Sequence, residues 1–136
     1  MEEKEKKEYE ERQQAEKERI ESGETVDEVI HRYVGYSCKE FARLAAESTK
    51  QFYVCFDVPA SEYEAMLRMV GREPEWSLYV DVKIRGTNKL FSNIYSKIDD
   101  PGMHSRKWLI EQVKTPEAHE FIFHAIKHLC ERIDRD

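Results

Sequence analysis

Residues 76–98 alternate apolar and polar side chains twice, around the turn sequence Gly86-Thr87-Asn88. This pattern predicts a β-hairpin, because the side chains of a strand alternate between its two faces. One face is apolar and suited to a core, whereas the other, the outer hairpin face, carries cations and aromatic rings. A neighbouring predicted strand adds one tyrosine. The candidate binding residues are Tyr53, Tyr79, Lys83, Arg85, Phe91, Asn93, Tyr95 and Lys97.

A face of this composition suits two kinds of ligand. Aromatic rings stack on bases, and Lys or Arg contact phosphates, so the outer hairpin face could bind a nucleotide or single-stranded nucleic acid. Tyr and Arg are also enriched in protein interfaces, so the face could bind a protein. Two structural interpretations stay open beside these: the face is solvated, or the protein's own helices cover it.

The overall charge favours the protein partner. The chain has 136 residues, of which 22 are Lys or Arg and 28 are Asp or Glu, and its formal net charge is -6. The field of an acidic molecule repels phosphate, which argues against broad, charge-driven binding to nucleic acid. We therefore expect a small acidic interaction protein, such as a regulator, inhibitor or adaptor. Nucleotide or nucleic-acid binding is the alternative function.

Four side chains on the last predicted helix have the spacing of a metal site. At intervals of four, four and three, they are Glu120, His124, His128 and Glu131. Two imidazoles one turn apart can chelate zinc or nickel. This face lies opposite an apolar stripe, however, where any amphipathic helix is expected to carry polar residues. We therefore predict no metal site and no cofactor.

Catalysis has weaker candidates. Cys38 follows Ser37, a predicted helix N-cap, and the helix dipole can lower the pKa of a thiol in the first turn. Cys38 also begins an apolar stripe, and no base can be placed beside it, so a packed thiol is the preferred interpretation. Asp99, Asp100 and His104 surround a turn sequence without an assignable nucleophile. No catalytic residue is predicted, and an enzyme with an unrecognised site is the third hypothesis.

Capping boxes, in which a Ser or Thr is followed three residues later by Glu, mark the starts of helices. They occur at residues 25–28, 37–40 and 61–64. Apolar residues follow each box at helical spacing. Gly35 and Gly71 suit the ends of the helices that begin at residues 25–28 and 61–64. Two further helices, with Ser105 and Thr115 as their expected N-caps, are predicted near residues 105–113 and 116–133.

Residues 51–59 change to a period of two, which predicts a strand that ends at a proline. The predicted order is α-α-α-β-α-β-β-α-α, an α+β fold in which helices pack on a three-stranded, largely antiparallel sheet. A three-residue hairpin loop keeps the apolar side chains on one face. This register pairs Val82 with Ser92 and Tyr79 with Tyr95.

Residues 1–21 are almost all charged or polar, and Glu–Lys pairs recur four residues apart. We expect a charged N-terminal helix or arm, either solvated or docked on a partner, followed by a single α+β domain at residues 25–136. The three cysteines form no C-x-x-C pair, and the chain shows neither a signal peptide nor an apolar run of about 20 residues. A cytoplasmic protein without membrane contact is therefore expected.

Overall fold

The computed structural model describes residues 10–11, 23–96 and 103–135. From residue 23 onward the order of elements is α-β-β-β-β-α-α, which confirms the α+β class. The strands form one antiparallel sheet in the order β1-β2-β3-β4, so strands adjacent in the chain are adjacent in the sheet. The elements are α1 (Val26–Glu47), β1 (Phe52–Asp57), β2 (Tyr63–Arg72), β3 (Glu75–Ile84), β4 (Leu90–Ile94), α2 (Arg106–Gln112) and α3 (Pro116–Arg135).

The predicted three-stranded sheet is wrong by one strand, because the segment predicted as a helix after Ser61 forms β2. Ser61 does not cap a helix. Its hydroxyl donates to Val58 O at 2.8 Å and accepts from Tyr63 N at 3.1 Å, which is a local turn between β1 and β2. The extended conformation of β2 is stabilised by pairing with β1 along residues 64–69 and with β3 along the whole strand.

Gly71 ends no helix, but it is required where β2 turns into β3. Its φ is +123°, and a Cβ added there would stand 2.3 Å from Glu75 O. Only glycine adopts this conformation at low cost, and only glycine leaves room for the facing carbonyl. Gly71, which was expected to end a helix, therefore lies in the hairpin between β2 and β3.

The two helices predicted to begin at the capping boxes 25–28 and 37–40 are one continuous helix, α1. Thr25 caps it as expected, since its hydroxyl accepts from Glu28 N at 3.1 Å. Gly35 lies within the helix, and Ser37 is buried rather than acting as a cap. A helical glycine costs about 1 kcal/mol relative to alanine. The apolar stripe on both sides of Gly35 packs on one sheet, so its burial outweighs that cost.

All three helices contact one face of the sheet. Helix α1 lies over β1 and β2, and α3 lies over β3 and β4 and packs against α1. The core between the two layers is apolar and fully buried. Its largest members include Phe41, Leu67, Met69, Leu78, Leu109, Ile122, Ile126 and Leu129.

The register of the hairpin formed by β3 and β4 differs by one residue from the predicted register. Tyr79 pairs with Ile94 and Val82 with Phe91, and Thr87 N donates to Ile84 O at 3.1 Å to close the turn. This shift moves three predicted outer residues, Phe91, Asn93 and Tyr95, to the helix side of the sheet. The even-numbered residues of β4 lie on the opposite side.

Aromatic packing accounts for the observed register. The ring of Tyr95 is 3% exposed, and it packs edge-on against Phe121 at a centroid distance of 5.0 Å and beside Trp108 at 6.4 Å. An aromatic ring buries more apolar area than the serine that the predicted register would place there. Contacts with α2 and α3, which lie far along the chain, therefore outweigh the local alternation pattern.

Candidate functional site

The outer sheet face is the face of the sheet that turns away from α1, α2 and α3. Side-chain alternation assigns to it the odd-numbered residues of β1 and β3 and the even-numbered residues of β2 and β4. None of its apolar side chains belongs to the core. Apart from Arg72 and Glu75 at the turn between β2 and β3, its members are Tyr53, Cys55, Asp57, Glu64, Met66, Arg68, Val70, Ser77, Tyr79, Asp81, Lys83, Leu90, Ser92 and Ile94.

A buried carboxylate lies at the centre of the outer sheet face. Asp81 is 0% exposed, and its Oδ2 accepts from Arg68 Nε at 2.8 Å. Ser92 Oγ donates to Asp81 Oδ1 at 2.6 Å. The hydrogen bond to Asp81 raises the pKa of the Arg68 guanidinium, which also lies over the Tyr79 ring at 4.9 Å from its centroid. The hydrogen bonds from β2 and β4 make the burial of this charge tolerable.

Two further ion pairs lie beside the central one. Lys83 Nζ is 3.8 Å from Glu64 Oε1, and Arg85 Nη1 is 3.4 Å from Asp57 Oδ1. Arg85 also donates from Nη2 to Ser61 O, at 2.6 Å. Each of the three cations Arg68, Lys83 and Arg85 thus has a carboxylate within 4 Å. The positive charge predicted at Lys83 and Arg85 is therefore locally neutralised.

Apolar side chains lie around these three ion pairs. Tyr53 on β1 is 62% exposed, and Leu90 at the start of β4 is 44% exposed. Cys55 is exposed, and Met66 and Ile94 are half-buried. Single exposed apolar residues are ordinary, but several on one sheet face form a surface that suits contact with another molecule.

The structure divides the predicted binding residues into groups. Tyr53, Tyr79 and Lys83 lie on the outer sheet face, and Arg85 lies at its rim. The predicted shared surface with Phe91, Asn93 and Tyr95 does not form, because these three lie on the helix side. Lys97 lies outside the described residues.

Sequence reasoning missed the residues that β2 contributes. Arg68 and Glu64 supply two of the three ion pairs, and Met66 supplies apolar area. All three were assigned to a helix. A signal was present, since Ala65, Leu67 and Met69 recur at every second position, as in a strand.

The thiols are poorly suited to nucleophilic catalysis. Burial raises the pKa of Cys38 to about 12 and that of Cys130 to about 11. Burial, with Glu64 and Asp57 nearby, raises the pKa of Cys55. Because α1 is continuous, Cys38 lies in its middle, away from the N-terminal end of the helix dipole. The thiolate form is therefore disfavoured at all three positions.

The histidines take part in surface and aromatic contacts. Glu120 lies 3.4 Å from His124 Nε2 and 3.6 Å from His31 Nδ1, which is on α1. His104 stacks on Trp108 at 3.6 Å, and its backbone pairs with Trp76. Within the described part of the chain, no group of three or more His, Cys, Asp or Glu side chains could hold a metal ion. Asp99 and Asp100 lie outside the described residues.

In residues 10–11, 23–96 and 103–135, no helix has the length and apolar character that crossing a bilayer requires. No family model, curated protein or solved structure matches the chain. The contacts of the outer sheet face therefore provide the basis for a functional proposal.

Proposed function

We propose that this chain is a non-enzymatic interaction protein, a regulator, inhibitor or adaptor, whose outer sheet face binds a protein partner. One observation carries the proposal: the cations Arg68, Lys83 and Arg85 are paired with carboxylates, whereas Tyr53 and Leu90 stay exposed. Exposed anchors in a frame of satisfied polar groups are the usual composition of a protein interface.

The same pairing distinguishes a protein from a nucleic acid as the ligand. A phosphate backbone is bound by cations that are free to replace its counterions. On this face such a cation would first have to give up its carboxylate, and the net charge of -6 opposes approach. A protein surface with apolar groups and little net charge can dock without breaking these pairs. The predicted partner is therefore of that kind.

The N-terminal segment, residues 1–21, remains part of the proposal as a docking arm. Only Glu10 and Glu11 of this segment are among the described residues, and both are exposed. Deletion of residues 1–21 should leave the free energy of unfolding unchanged and weaken binding of the partner. A truncated chain that unfolds would contradict the docking role.

Site-specific photocrosslinking in the native cell tests the proposed face. A benzophenone amino acid replaces Leu90 in one variant and Tyr36 in the other, because Tyr36 is 60% exposed on α1, in the helix layer. We expect covalent adducts with a second kind of protein from position 90 and few from position 36. Mass spectrometry identifies the adducts and separates them from adducts of the chain with itself.

The control experiment addresses the alternative ligand. The unmodified chain is titrated at low salt with fluorescent single-stranded oligonucleotides and with nucleotides, and no binding is expected. Adducts with a second kind of protein that are equally abundant from both positions, or that form from position 36 alone, would contradict the proposed face. Oligonucleotide binding that weakens with salt would replace the protein partner by a nucleic acid.

A further inference from the structure

We propose that two copies of this chain pair antiparallel through the edge of β1 that faces away from β2 and form one continuous sheet. The pairing uses backbone groups at one edge of the sheet. It is therefore independent of the partner proposed for the outer sheet face, and either proposal can fail without the other.

The direction of the backbone groups of β1 follows from the hydrogen bonds beside it. Val58 N, just after β1, donates to Tyr63 O at 2.9 Å. The even-numbered residues of β1 therefore form their backbone hydrogen bonds with β2. Bonded and non-bonded pairs alternate along an antiparallel ladder. Tyr53 and Cys55 therefore direct their N–H and C=O groups away from β2. In the sheet formed by the described residues, β2 is the one strand beside β1.

The two edges of the sheet differ in protection. At the β4 edge, Arg132 lies over the Phe91 ring at 4.6 Å and Lys89 Nζ lies 5.8 Å from it. Cations at an edge strand discourage pairing with a second chain. Neither β1 nor β4 contains a cation or a proline. At β1 the cation over a ring is Arg106, 5.5 Å from the Phe52 centroid, and it is buried, whereas Lys89 and Arg132 at the β4 edge are exposed. Five of the six β1 residues are apolar or aromatic, against three of five in β4. The β1 edge is therefore the better template for another strand.

A second copy of β1 is complementary to the first. A twofold axis at Cys55 places Cys55 of one copy opposite Cys55 of the other, and Tyr53 opposite Asp57. This register aligns the outward backbone groups as hydrogen-bonded pairs and places no like charges opposite each other. On the helix side it brings Val54 of one copy against Phe56 of the other. Both are half-buried in a single chain, so pairing would cover further apolar area.

An exposed aromatic residue of α1 lies near the same edge. Tyr33 contacts the Phe56 ring at 5.8 Å between centroids, and Tyr36 lies 6.4 Å from Tyr33. The helix layer thus extends the apolar surface at the β1 edge. Pairing joins the two outer sheet faces into one surface, which allows a single partner to be bound by two copies.

Sedimentation velocity measures the mass of the chain and of matched variants. The unaltered chain should sediment at twice 16.2 kDa at micromolar concentration. Cys55→Glu places like charges opposite each other across the twofold axis and should raise the dimer dissociation constant about tenfold or more. Leu90→Glu makes the same change at the β4 edge and should leave the dimer unchanged. Circular dichroism checks that each variant is folded.

A second variant and a crosslink keep the test decisive. If Cys55→Glu does not fold, Tyr53→Glu replaces it, because that side chain is largely exposed and would face Asp57 of the other copy. A short bismaleimide should join two unaltered chains and two Cys130→Ser chains, but not two Cys55→Ser chains. A monomeric mass at every concentration, or dissociation by Leu90→Glu instead of the β1 variants, overturns the proposal.

Discussion

The two faces of β3 are built on different principles. Toward the helices, Leu78, Val80 and Val82 are fully buried in the core. On the outer sheet face, Asp81 and Lys83 form cross-strand ion pairs with β2. Burial of apolar area is non-directional and strong, whereas ion pairs are directional, and a partly exposed pair such as Lys83–Glu64 contributes about 0–1 kcal/mol. The core therefore supplies most of the stability, and most residues of the outer sheet face contribute little to it.

The largest expected difference concerns two neighbours on β3. Leu78→Ala should lower the free energy of unfolding by about 2–5 kcal/mol, because it opens a cavity between the sheet and the helices. Tyr79→Ala, one residue further on the outer face, should cost less than about 1 kcal/mol, since the half-buried ring has one cation above it. Urea unfolding of both variants measures the difference. Equal losses would mean that both faces of β3 are core.

The central carboxylate is the exception on the outer sheet face. Asp81→Ala leaves Ser92 and Arg68 without their acceptor and should cost about 1–3 kcal/mol. The loss is moderate because Arg68 is partly exposed and can be solvated. The double variant with Arg68→Ala should lose less than the sum of the two single variants. Strict additivity in urea unfolding would show that the two side chains are not coupled.

The stability of the helix layer should depend on pH in alkaline solution, because Cys38 is buried there. Burial raises the pKa of Cys38 from 9.0 to about 12 in the folded protein, so the unfolded state loses this proton first as the pH rises. The contribution of this thiol to the free energy of unfolding is complete below about pH 9. It is lost as the pH rises toward 12, at about 1.4 kcal/mol per pH unit. Unfolding of Cys38→Ala should be less pH-dependent than that of the unaltered chain between about pH 9 and 10. Identical slopes would contradict the burial of this thiol.

The smallest expected effect on stability lies at the end of the outer sheet face. Leu90→Ala should change the free energy of unfolding by no more than about 0.5 kcal/mol, because this side chain is largely exposed. The same substitution should weaken capture of the protein partner. Thermal unfolding and partner capture, measured on one preparation, separate the two effects. A large loss of thermal stability would assign Leu90 to the core instead.

Local signals in the sequence predicted several elements correctly. Thr25, Ser105 and Thr115 each cap the helix that follows them, and β1 and β3 lie where the alternation places them. Capping and strand alternation act between residues close in the chain, so their signatures can be read without the fold. The α+β class follows from them.

The candidate site could be predicted only in part. Tyr53, Tyr79, Lys83 and Arg85 were assigned to one surface and do lie on or beside it. Glu64, which pairs with Lys83, and the other β2 residues between them were missed, because Met66, Leu67 and Val70 also fit a helical stripe. Whether these residues bind a partner stays a prediction.

By itself, the sequence determined the N-caps of α1, α2 and α3, the apolar face of β3 and the acidic balance of the chain, because each depends on neighbouring residues or on composition. Only the tertiary structure decided that Tyr63–Arg72 is a strand and that β4 turns Phe91 and Tyr95 toward the helices. Both outcomes depend on area buried against segments distant in the chain. A one-residue shift in register or a change of period is locally inexpensive, so the distant contacts decide it.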